Sequence, residues 1–233
     1  DKIFQVIPDI DESDIRSVVN YLESGGWLTE HKITGDLGNK ISSYVNRDYA
    51  NAVPNGTIAI YLSLISAGVK SGDRVAVPNL TMIATINAII WAEAEPVLVD
   101  VDENLCMSYQ ELTQLEDLDA VIFVPLNGRT GDGYNIEKWC LENNILLIED
   151  SAHALGSSYP HKACGSLGDI SIFSFTPHKI ITMGQGGMIL TDNQEYHEKI
   201  VELKTFNREK DKLDWHKGFG LNFKITDLSL IHI

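Results

Sequence analysis

Short runs of Val, Ile, Leu and Phe alternate with helix-length segments through most of the chain, and this alternation constrains the fold more than any other feature. Runs at 74–78, 96–101, 120–126, 145–148, 170–175 and 188–190 are strand-length and largely apolar. Segments at 57–69, 81–92, 109–115 and 136–143 have helix length, and Gly, Pro, Asn and Asp punctuate the joins. Such alternation implies an α/β fold: a mostly parallel sheet with helices on both faces. Further helices are expected at 11–23, which opens on acidic residues as the macrodipole prefers, and at 194–204. Residues 205–220 read as a loop, and 222–227 as a helix start capped by Thr226 or Asp227. Only residues 176–187 separate the last two strands, which predicts either an antiparallel pair or a long active-site loop.

Charge narrows the function classes. Eighteen Lys and Arg against 33 Asp and Glu give a net charge of −15 over 233 residues. That balance disfavours broad nucleic-acid or anionic-membrane binding, because both need a positive field. A local basic pocket for an anionic ligand stays open. Cys106, Cys140 and Cys164 are odd in number and lack CxxC spacing, so neither a disulfide framework nor a zinc site is expected, and no other metal. The longest apolar stretches, such as 84–92, are too short to span a bilayer, and no basic-then-apolar leader opens the chain. A cytoplasmic, reducing setting is expected. The first residue is Asp and the last six stop inside a starting helix, so both ends are expected to be cut, with 228–233 as a non-native tail.

In open α/β sheets, ligands bind beyond the carboxyl ends of the strands. Asn55-Gly56-Thr57 opens the helical segment at 57–69, and the free N–H groups of such a start form an anion site. The run 145–150 reads as a buried strand ending in Glu149-Asp150, with His153 three residues on. Successive strand residues face opposite ways, so one of the two acids points into a cleft. Ser174 ends the next strand, and Lys179 follows it just before the Gly-rich run 184–187, which would let backbone approach a ligand closely. Each feature alone has an ordinary explanation: an N-cap, solvated strand-end acids, a surface lysine. Together they supply an anion cradle, a carboxylate and an amine at one sheet edge. Pyridoxal 5′-phosphate needs that set: donors for its phosphate, a carboxylate for its ring nitrogen, and a lysine for its aldehyde.

The chain resembles the DegT/DnrJ/StrS family of sugar aminotransferases. The likeness rests on Ser24-Gly25-Gly26-Trp27-Leu28-Thr29, Asn55-Gly56-Thr57, 78–87, 96–102, 149–154, Gly168-Asp169, Phe173-Ser174-Phe175, Lys179 and 220–227, in that order. The resemblance implies the large cofactor-binding domain of a fold-type-I pyridoxal-phosphate transferase over residues 1–233, including the segment 1–50. The family's small C-terminal domain is expected to be missing, so this fragment is expected to be inactive by itself. Lys179 would hold the cofactor and shuttle the proton. Asp150 would pair with the pyridine nitrogen, and His153 would lie against the ring or near its phenolic oxygen. Gly56, Thr57 and Ser174 would bind phosphate, and Asn222 would reach the phosphate of a neighbouring subunit in a homodimer. The reaction implied is amino transfer, usually from glutamate, to a nucleotide-linked keto sugar in surface-polysaccharide or amino-sugar biosynthesis.

Departures from the family pattern bear on the substrate. Met82 stands where an aromatic commonly covers the ring, and a thioether still packs on an aromatic face. Gln185 replaces an acid, and Pro125-Leu126-Asn127-Gly128-Arg129 replaces a segment usually holding His and Tyr. These departures leave a second reading open, a non-catalytic cofactor- or sugar-nucleotide-binding regulatory protein. An ordinary nucleotide-binding α/β protein is a weaker reading, since neither a P-loop nor a GxGxxG turn is present.

Overall fold

The computed structural model describes residues 3, 7, 9–209 and 214–231. Residues 210–213 of the expected loop and 232–233 of the expected tail lie outside the described residues. A seven-stranded sheet forms the centre, in the order β1-β7-β6-β5-β4-β2-β3. Its strands are β1 (Tyr49–Val53), β2 (Arg74–Pro78), β3 (Glu95–Val99), β4 (Ala120–Phe123), β5 (Leu146–Asp150), β6 (Ile170–Ser174) and β7 (Gly187–Thr191). The β6-β5-β4-β2-β3 pairs are parallel, while β7 pairs antiparallel with both β6 and β1. The connection at 175–186 is short and holds no helix, so it returns the chain antiparallel along β6; a parallel neighbour would need a longer crossover.

Alternation along each strand divides the core. Val75, Val77, Ile122, Ile148, Ile170, Ile172 and Ile189 face α3 (Gly56–Ser66), α4 (Ile83–Trp91) and α7 (Gln194–Lys204). Their sequence neighbours face the other way. Ala76, Val121, Phe123 and Leu147 pack with α5 (Tyr109–Leu112) and α6 (Gly133–Asn143). Phe173, Met188 and Leu190 pack with α2 (Lys32–Val45). Helices on both faces explain why these strands are apolar throughout. At roughly 25 cal/mol per Å² of apolar surface, each fully buried Ile or Leu contributes about 1.5–3 kcal/mol. The first helix, α1 (Glu12–Glu23), begins in an Asp11–Asp14 capping box and buries no residue.

Several elements differ from the sequence expectation. Helix α2 and strand β1 were not expected. Gly35 and Gly38 dilute the helical period of Leu37, Ile41 and Val45, and Tyr-Ala-Asn-Ala-Val carries a single β-branched residue. Strand β5 does end in its two acids as expected, Glu149 pairing with Phe123 and Asp150 with Ile172 inside the sheet. Strand β4 stops at Phe123; Pro125, with no N–H to donate, leads into a 3₁₀ turn at Leu126–Gly128. The expected helix start near Asp227 is a single 3₁₀ turn, Asp227–Ser229, with Thr226 at its cap.

Candidate active site

One cavity of about 150 Å³ opens at the carboxyl ends of β4, β5 and β6. Gly56, Thr57, Met82, Asp150, His153, Ser174 and Lys179 all line it. Periodicity along three separate strands and two helix starts thus converges on one place. Asn222 does not line it. That residue is exposed and bridges to Thr205 beyond the end of α7.

At one end of the cavity, Asn55 caps α3. Its side chain accepts from the Ile58 amide at 2.9 Å and its carbonyl from the Ala59 amide at 3.0 Å. The first two amides, Gly56 and Thr57, have no intrahelical partner. A Cβ on Gly56 would come within 3.0 Å of the Ser174 Cβ, so the bare glycine sets the helix start against the end of β6. The Ser174 hydroxyl lies 3.4 Å from that of Thr176, which also lines the cavity. Amides, hydroxyls and the positive end of a helix make this an anion cradle.

The Gly-rich run behaves differently from its expected role. Gly187 lies in β7, where a Cβ would meet the Asn55 carbonyl oxygen at 2.6 Å, and Gly186 packs against the Met183 side chain. These glycines seat β7 under the α3 cap and do not line the cavity. Gln185 is exposed and also outside the lining, as is the 125–129 segment.

The other end of the cavity holds the titratable groups. Asp150 is 4% exposed. The Thr85 hydroxyl donates to its Oδ2 at 2.8 Å, and the Ala152 amide to its Oδ1 at 3.2 Å. Burial pushes the Asp150 carboxyl up, against those hydrogen bonds and the charges of Lys179 and His153. Burial holds the Lys179 amine down, with Asp150 pulling the other way. Burial and then the Lys179 charge hold the His153 imidazole down, and its buried Nδ1 has no hydrogen-bond partner. Met82, 57% exposed, caps α4 at the rim, and His178 lines the mouth.

Glu149 points to the opposite face, as strand alternation requires. It is fully buried and accepts from Ser151 Oγ (2.7 Å), Tyr159 Oη (2.9 Å), Gly165 N (2.9 Å) and Leu167 N (2.8 Å). Four donors fill its acceptor sites and pin the 151–168 segment beneath the cavity. The three cysteines are free and buried; burial pushes the Cys140 and Cys164 thiols up to about 12. The sequence singles out neither Thr85 nor Thr176, and it gives His178 only a structural role, whereas His178 lines the cavity. Thr85 gives no signal of its own, because a threonine inside an apolar helix reads as packing. Among the described residues no helix is long and apolar enough to cross a membrane, and no cluster of three His, Cys, Asp or Glu could hold a metal.

Comparison with known proteins places this geometry among relatives. The sequence pattern of the DegT/DnrJ/EryC1/StrS aminotransferase family matches residues 8–230. The GDP-perosamine synthase of Escherichia coli O157:H7 is 37% identical over 193 residues, covering 82% of this chain and 53% of that protein. The spore coat polysaccharide biosynthesis protein SpsC of Bacillus subtilis is 32% identical, covering 88% of this chain and 53% of that protein. The solved PLP form of Spr1654 from Streptococcus pneumoniae superposes with a TM-score of 0.91 at 28% identity, covering 99% of this chain and 64% of that one. The chain therefore spans a little over half the length of the curated relatives it matches.

Proposed function

The chain belongs to the DegT/DnrJ/EryC1/StrS aminotransferase family, and on that premise we propose that its cavity holds pyridoxal 5′-phosphate. The protein that carries it moves an amino group from glutamate to a nucleotide-linked keto sugar, in surface-polysaccharide or amino-sugar biosynthesis. The observation that carries this reading is that Lys179 and Asp150 line the same cavity, with an anion cradle at its other end. The residues present fit the cofactor. A buried carboxylate held by one hydroxyl and one amide has acceptor capacity left for a cationic ring nitrogen, and His153, which lines the same cavity, has a buried Nδ1 without a hydrogen-bond partner.

When bound, the cofactor supplies an aldehyde that captures amines and a ring that draws electrons from the attached carbon. Lys179 Nζ would hold the cofactor through that aldehyde. Burial favours its neutral, nucleophilic form at a given pH. Freed when a donor amine takes its place, the same Nζ would carry the proton from the donor's α-carbon to the cofactor carbon that had held the lysine. Asp150 keeps the ring nitrogen charged, a hydrogen bond to charge of about 1.5–3 kcal/mol. His153 would lie against the ring or near its phenolic oxygen, and Met82 would cover the ring more loosely than an aromatic would. The Gly56 and Thr57 amides and the Ser174 hydroxyl hold the phosphate. The proposed protein acts as a homodimer, with Asn222 of one subunit reaching the phosphate of the other. An apolar groove that includes the exposed Tyr44 and Ile180 offers surface for a second subunit.

Adding the cofactor to the purified protein tests the reading. A visible absorbance band is expected, with borohydride fixing the label on the peptide containing Lys179. Lys179→Ala should lose both, and an unchanged band in that variant would overturn the role. A panel of nucleotide-linked keto sugars with glutamate then tests transfer. Binding without transfer to any of them would favour a non-catalytic role.

A further inference from the structure

Asp150 works only if its carboxylate is ionised and turned toward the cavity, and burial opposes the first condition. The counterweight comes from α4. Thr85 is 0% exposed, and its hydroxyl reaches Asp150 Oδ2 at 2.8 Å across 65 positions of sequence. A helical threonine ordinarily gives its hydroxyl proton to a carbonyl three or four residues back. Thr85 instead gives its only proton to Asp150, since an ionised carboxylate accepts and does not donate. The Thr81 hydroxyl, 3.3 Å from that of Thr85 and on the cavity wall, then donates to the Thr85 oxygen. The Ala152 amide holds Oδ1, so each carboxylate oxygen has one fixed donor and the plane of the group is set.

We propose that Thr85 is a positioning residue: its hydroxyl holds the Asp150 carboxylate in the orientation and ionised form that a pyridinium nitrogen requires. The proposal rests on the cofactor assigned above. His153 and Lys179 also face Asp150, while the neighbouring end of β4 presents apolar Val124. Thr85 is the donor that comes from outside the segments carrying those groups.

The test is a cofactor titration of the purified protein, read by visible absorbance across pH. Thr85→Val keeps the shape and removes the donor. The dissociation constant is expected to rise about ten- to a hundredfold, the range for a lost hydrogen bond to a charge. Losing a donor that favours the carboxylate raises its pKa, so acid release of the cofactor should begin at higher pH. Thr85→Ser keeps the hydroxyl and should bind as wild type does with an unshifted acid limb. If Thr85→Val does not fold, Thr85→Ala, which crowds nothing, should show the same loss and the same pH shift. Wild-type affinity and acid limb in both Val and Ala variants would overturn the inference and leave the cofactor reading standing. A Ser variant as weak as Val would also overturn it, by tracing the effect to packing. A wild-type protein that takes up no cofactor would overturn both.

Discussion

Asp150 is almost wholly buried, and its behaviour before any cofactor binds follows from that. Its folded-state pKa lies above the ordinary carboxylate value, chiefly through burial. The folded chain therefore keeps this proton longer than the unfolded chain does. Stability from the group is fullest below the ordinary carboxylate range and declines as pH climbs toward the raised value. Asp150→Asn removes the titration. Urea unfolding of the cofactor-free protein should then show a shallower decline with pH across that window than wild type, with Glu149 still contributing in the same direction. Identical slopes would mean that Asp150 does not titrate there. Much at this scale was legible beforehand: Asp150 and Ser174 end strands, Lys179 follows one, and strand ends meet at one edge. Thr85 was not, since its role lies in what it touches and not in what it is.

Helix α2 shows how an element escapes notice. Its N-cap, His31, makes no side-chain cap bond. Asp227 caps it from 196 positions away, accepting from the amides of His31 (2.9 Å), Ile33 (3.0 Å) and Thr34 (3.2 Å) and from the Thr34 hydroxyl (2.5 Å). A local reading of Ser, Thr, Asp or Asn before a helix could not find it. Burial pushes the Asp227 carboxyl up, but the Thr34 hydroxyl and the three amides outweigh it and hold it below the ordinary value. Its contribution is present above the ordinary carboxylate range and lost as pH falls through the depressed value, opposite in sign to Asp150. Asp227→Ala should cost about 1–3 kcal/mol in urea unfolding at neutral pH, as expected for several amides left uncapped. Helix α7, by contrast, has its own Asn193 cap and coincides with the expected 194–204.

Across the whole molecule, a buried clasp joins three distant segments. Lys204, 2% exposed at the end of α7, donates to Glu30 Oε1 at 2.6 Å and to the Ala52 carbonyl of β1 at 2.7 Å. It fastens the edge strand and the N-terminal segment to the body that carries the cavity. Lys204→Ala leaves the partly buried Glu30 carboxylate without its cation and should cost about 1.5–3 kcal/mol. Lys204→Met with Glu30→Gln should recover part of that, which equilibrium unfolding would measure. An additive double variant would mean that the two groups do not couple.

By itself the amino-acid order determined the α/β class, most of the strands and helices, and the chemical kit at the strand ends, because periodicity and turn chemistry act over a few neighbouring residues. The tertiary structure decided the rest: β1 taken in beside β7, Asp227 capping α2, and Thr85 set against Asp150. Those choices depend on strand order and on contacts between residues 65 to 196 positions apart. Such contacts become favourable only once the sheet has assembled and excluded water from between them.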